Sequence, residues 1–187
     1  MLGAQRRTAF APDFLARVGI AWLGVSALLL IVNFTAIAGL RIPDPDDELR
    51  LVQVRDLIAG QSWFDLTQYR VDTANGGVPM HWSRLVDVPL LIVIVALTPL
   101  LGADAAELVA VVLVPLITLG LAMLLAARIA WRLMGEDETT MTCLVMAVSI
   151  PLLFQLGPMR IDHHGWQIVG ALAGMNGLMA RTPQVGG

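Results

Sequence analysis

From Val18 to Leu40 the chain carries no charged residue. A helix of that length spans about 30 Å of hydrocarbon. A bilayer core tolerates only backbone whose polar groups are paired internally, so this run narrows the fold more than any other feature. Two further full-length runs follow: Ala105 to Ala127, with Glu107 near its start, and Thr139 to Pro158. Gly165 to Ala180 is a somewhat shorter fourth. Composition agrees, with 57% hydrophobic residues, 14% charged and a mean hydropathy of +0.73. That is a membrane composition. A cleavable leader ending at Ala36-Ile37-Ala38 is the rival reading of the first run, which is longer than the usual apolar core of about 7–15 residues.

The expected fold is an all-α polytopic membrane protein in one domain, 1–187. Its spans are 17–40, 105–127, 139–158 and 165–180. A long loop, 41–104, separates the first two. Asp46 or Asp47 can cap a helix over 46–59, with Glu48 in its first turn and Gly60 as its stop. Leu49, Val52, Leu57 and Ile58 give that helix a partly apolar face suited to a membrane surface. Gln61 to Val78, with Asn75-Gly76-Gly77, reads as loop. The apolar run 88–101 is short for a span and suits a re-entrant or interfacial segment. Trp63, Trp82 and Trp166 suit an interfacial belt. Gly120, Ala147, Gly170 and Gly174 suit close helix contacts. The lone Cys143 lies in an apolar run and reads as packing.

Charge placement sets the expected topology. Arg6, Arg7 and Arg17 put the N-terminus in the cytoplasm of a bacterial or archaeal plasma membrane. Arg128 and Arg132, in a short loop before Gly135-Glu136-Asp137-Glu138, belong inside as well, and so does Arg181. Only one crossing then fits between residues 41 and 128, which leaves 88–101 dipping without crossing. Two acidic clusters fall on the same outer face: Asp44-Pro45-Asp46-Asp47-Glu48-Leu49-Arg50 and Arg160-Ile161-Asp162-His163-His164.

Ionisable groups beside a bilayer are costly and are functional candidates by default. All three histidines, His81, His163 and His164, lie in or next to these polar segments. Carboxylates with imidazole form a site for a divalent cation, and adjacency predicts that only one of His163 and His164 reaches a common centre. Arg50, Arg55, Arg84 and Arg160, with His81, are available to a phosphate. Every basic residue is arginine, which suits bidentate phosphate recognition. A free carboxylate in the same site can act as general base. The plainer readings are a solvated helix cap for Asp44 to Glu48 and a cap for the last helix in Asp162. No tract marks a nucleic-acid partner.

Asp44-Pro45-Asp46-Asp47 with Arg50, together with Asp162-His163-His164, resembles the paired acidic motifs of GT-C glycosyltransferases, especially catalytic subunits of oligosaccharyltransferases. The resemblance covers most of residues 17–180. It implies a polyprenyl-phosphate-linked sugar donor drawn from the membrane lipid, a divalent cation (Mg or Mn) and an inverting transfer. It also implies that Asp46 or Asp47 activates the acceptor or binds metal, with Asp44 in the same acidic set. Asp162 would be a metal ligand, and His163 or His164 a further ligand or phosphate contact. That family has more spans, a later acidic loop and a soluble domain. The chain therefore resembles the N-terminal part of such an enzyme, whose remaining portion would be a partner. The alternatives are a non-catalytic membrane subunit and a metal-binding or transport protein; the latter needs ionisable residues along a path through the spans, which offer almost none beyond Glu107.

Overall fold

The computed structural model describes residues 12–135 and 137–179. Arg6, Arg7, Glu136, Ala180, Arg181 and the Thr182–Gly187 segment lie outside them. Among the described residues the chain forms helices α1 (Pro12–Val32), α2 (Phe34–Ala38), α3 (Pro45–Ile58), α4 (Val88–Leu101), α5 (Ala103–Met134), α6 (Glu138–Val148), α7 (Ile150–Leu156) and α8 (His164–Leu178). A two-residue antiparallel pair, β1 (Thr67–Gln68) and β2 (Val78–Pro79), is the sole sheet there. The fold is all-α. Helix α1, the stretch Arg84–Leu101 and helix α5 are long and apolar enough to cross a membrane. The pair α6–α7 adds a fourth if its 78° bend lies within one span.

Several boundaries differ from the sequence expectation. The first run breaks at Asn33 into α1 and α2. Helix α5 continues to Met134, so Arg128 and Arg132 sit on helix rather than in a loop, and Arg132 Nη1 donates to the Asn176 carbonyl at 2.8 Å. The 139–158 run is not straight. Ser149, in extended backbone, and Pro151 just after it turn the chain between α6 and α7. Helix α8 has 15 residues, fewer than the roughly 20 that a span needs.

Helix α3 is capped by Asp44, not by Asp46 or Asp47. Asp44 has extended backbone and accepts from Asp46 N–H at 3.0 Å, and Pro45 occupies the first helical position. Its inward face carries Asp47, Arg50, Leu51 and Val54, at i, i+3, i+4 and i+7, while Leu49, Val52 and Leu57 are half-buried and Ile58 is exposed. The loop that follows turns through Gly76 and Gly77, both at positive φ. A Cβ on Gly77 would sit 2.8 Å from Thr67 Cγ2, so only glycine lets β2 close on β1.

Helix α5 is the spine. Its first half packs with α3 and α4 through Leu51, Val54, Leu90, Ile94, Ala110, Val111 and Val114. Its second half packs with α1 and α6 through Phe14, Val18, Leu119, Met123, Cys143 and Met146. Helix α4 turns back at Gly102, at positive φ, and lies against the first half of α5. Trp22 Nε1 donates to the Leu116 carbonyl at 2.7 Å, and Gly120 leaves the space its ring fills. Ala147 packs against the same core, whereas Gly170 and Gly174 meet no neighbour that a side chain would touch.

Candidate functional site

Where the two cores meet on α5, the acidic clusters meet as well. Asp47, fully buried in the first turn of α3, accepts through Oδ1 from the backbone N–H of Ile161 at 2.8 Å and of Asp162 at 2.7 Å. Its Oδ2 lies 2.7 Å from Arg160 Nη1, and Asp44 Oδ2 lies 3.1 Å from the same nitrogen. Arg160 also donates to Gln155 at 3.2 Å and rests over the Phe154 ring. Residues more than a hundred positions apart are thus clamped by one carboxylate.

A second ionic set adjoins the first. Arg50, without solvent exposure, donates to Asp87 Oδ1 at 2.6 Å and reaches Asp162 Oδ1 at 3.5 Å, beneath the Trp82 ring. Trp82 is therefore a buried lid on Arg50 rather than a belt residue. Arg84 Nη1 sits 3.7 Å from Asp87 Oδ2 and donates to the Gln53 carbonyl, while its Nη2 donates to Gln61 and to the Asp65 carbonyl. Four carboxylates (Asp44, Asp47, Asp87, Asp162) thus face three guanidiniums (Arg50, Arg84, Arg160), an excess of one negative charge. Burying such charges is tolerable only when each is paired.

The exposed rim of this layer carries the histidines. His163 Nδ1 lies 2.5 Å from Asp162 Oδ1, and His164 Nε2 lies 3.4 Å from Asp162 Oδ2. The two imidazoles are 4.3 Å apart between centroids, so both turn to the same carboxylate, where adjacency predicted only one. His81, exposed, continues the row of rings through Trp82 to His163. Asp46 is exposed in the first turn of α3; its N–H goes to Asp44. Asp162 does not cap α8, whose first position follows His163.

Environment sorts the carboxyls. Asp46 N–H and Arg160 hold Asp44 below its ordinary value. Burial pushes Asp47 up to about 6, against the pull of Arg160 and the two N–H donors. Burial acts upward on Asp162 too, but there the His163 N–H and imidazole, with Arg50, outweigh it and hold that carboxyl below the ordinary range.

One ligand atom each from Asp162, His163 and His164 lie within 4.8 Å of one another. Ligands about 2.0–2.2 Å from one tetrahedral transition ion stand about 3.3–3.6 Å apart, so these three would have to close by roughly 1 Å to hold one cation. Two imidazoles and a carboxylate suit Mn or another first-row ion better than Mg, which prefers oxygen ligands. Asp47 stands apart from this set, its oxygens taken by the clamp. The guanidiniums of Arg50 and Arg160 are committed to carboxylates, and that of Arg84 to two backbone carbonyls and Gln61. Arg55 forms a two-pronged pair with Glu107, with Nε at 2.7 Å from Oε2, on the far part of α3. Asp87 is the residue that sequence reasoning did not single out. A lone acid before an apolar helix reads as a cap, yet its side chain makes no capping bond and turns to Arg50 and Arg84.

No protein-family model, curated protein or solved structure matches the chain. Fold and site define a membrane-embedded, all-α protein with a buried ionic layer under an Asp-His-His rim.

Proposed function

We propose that the chain is a membrane glycosyltransferase of GT-C type, or the N-terminal portion of one, that uses a polyprenyl-phosphate-linked sugar. The supporting observation is the clamp of Asp47 on the backbone of Ile161 and Asp162, which joins the two acidic motifs into one centre. In an inverting transfer the acceptor attacks the anomeric carbon, the bond from that carbon to the phosphate oxygen breaks, and the lipid phosphate leaves. Asp162, His163 and His164 would hold a divalent cation, which when bound offsets charge on the phosphate. Asp46, the exposed carboxylate of the first motif, would take the acceptor proton. Asp47, Arg50, Arg84 and Arg160 fix the geometry from below, and His81 on the rim is available to the phosphate.

The test uses the whole chain in lipid nanodiscs with a polyprenyl-phosphate sugar and Mn2+. The expected result is donor binding or sugar release that needs Mn2+ and is lost in Asp162→Ala while the protein stays folded. Mn2+ binding with no donor recognition would favour the metal-binding alternative. Neither Mn2+ nor donor binding would leave the non-catalytic subunit.

A further inference from the structure

Proline in a helix lacks the N–H that would bond the carbonyl four residues earlier. In α5 this is Pro115, and the carbonyl it releases is that of Val111. The released acceptor does not go unused. The backbone N–H of Met159 donates to it at 2.8 Å. Met159 adopts φ +68°, in the left-handed region that a side-chain-bearing residue seldom occupies, and is buried against the Val111 cluster. Three residues on is Asp162. Pro115, Thr118, Arg160, Asp162 and Trp166 line one small recess between the spine and this segment.

We propose that Pro115 is a positioning residue for the Asp162-His163-His164 rim: by withholding its own N–H it leaves the Val111 carbonyl as the seat for Met159, and that seat sets where the three ligands point. Asp47 grips the same segment from α3, through Ile161 and Asp162, so the motif is held on two sides by two elements. An alanine at 115 would restore an N–H that competes for the Val111 carbonyl and loosens the seat. The consequence for metal rests on the cation reading above; the seat itself does not.

The test compares the wild type, Pro115→Ala and a chain in which residue 115 is the α-hydroxy acid counterpart of alanine, which again lacks the N–H. Amide exchange over residues 159–163 reads the seat, and Mn2+ titration followed by electron paramagnetic resonance reads the rim. Pro115→Ala is expected to speed exchange in that segment and to weaken Mn2+ binding by about tenfold, as for loss of a partner behind a metal ligand. The hydroxy acid is expected to restore both. Unchanged exchange in Pro115→Ala would overturn the seat. Faster exchange with unaltered Mn2+ affinity would overturn the positioning role. Failure of the hydroxy acid to restore either would assign the effect to the proline ring rather than to the missing N–H, and would overturn the proposal too. If the wild type binds no Mn2+ while exchange still follows the N–H, the cation reading falls and the seat stands.

Discussion

At the scale of single residues, Asp47 shows how a carboxylate can look catalytic in the sequence and be structural in the fold. It sits in an acidic run beside a bilayer, where such groups are functional candidates. Its oxygens are consumed by two backbone N–H groups and Arg160. Asp47→Ala would strand those donors and leave Arg160 buried with Asp44 as its one remaining carboxylate. Loss of one partner of a buried pair costs about 3–5 kcal/mol. Asp47→Asn keeps an acceptor for the N–H groups, so its melting temperature in detergent should fall less. Equal losses in the two variants would argue against the clamp. The raised carboxyl value fixes the sign of the pH effect. A value raised from 3.8 to about 6 means stability present below the unfolded value and lost as pH rises through the folded one. With chelator present, the wild type should therefore lose stability relative to Asp47→Asn between about pH 4 and 6. Parallel curves for the two proteins over that window would contradict the assignment.

At the scale of elements, legibility followed locality. The helix 46–59 was readable because its start and its stop are each local signals: an acidic run at one end and Gly60, at positive φ, at the other. What failed was the choice among three neighbouring acids for the cap. The inward face was not legible, because pairing with Asp87, Arg160 and the 161–162 backbone, all distant in sequence, draws charged residues inward. The long run 139–158 hid a sharp bend, because hydropathy is blind to direction even where Pro151 marks the place. Gly120, by contrast, was read correctly as a contact glycine, although its neighbour is a tryptophan ring and not another small residue. A Cβ there would come 3.0 Å from Trp22 Nε1. Gly120→Leu should overpack this contact, cost about 1–3 kcal/mol and break the bond to the Leu116 carbonyl. In a Trp22→Ala background the same change should cost much less. A penalty that stays the same in that background would place the strain elsewhere.

For the whole molecule, the spine decides where the site can be. Helix α5 has 32 residues, about 48 Å at 1.5 Å each, against roughly 30 Å of hydrocarbon. The ionic layer lies beside its middle, at the seam between the two cores. From Leu116 to Met134 the helix rises about 27 Å, enough to carry Met134 to the opposite membrane surface. The reading of charge placement brought the two acidic clusters to one side, and the direct bonds from Asp47 to Ile161 and Asp162 require that they share it. Sequence could not give the depth of the site or its register on α5, because both depend on contacts between residues far apart in the chain. A topology measurement checks the arrangement without relying on activity. In a Cys143→Ser background, Asp46→Cys should react with a membrane-impermeant maleimide in intact cells; that is the expectation from the arginine bias, which predicts the N-terminus inside and this cluster outside. Met134→Cys should react only after permeabilisation. Labelling of both positions from the same side would mean that α5 does not carry the chain across beyond the site, and the external placement of the Asp-His-His rim would fall with it.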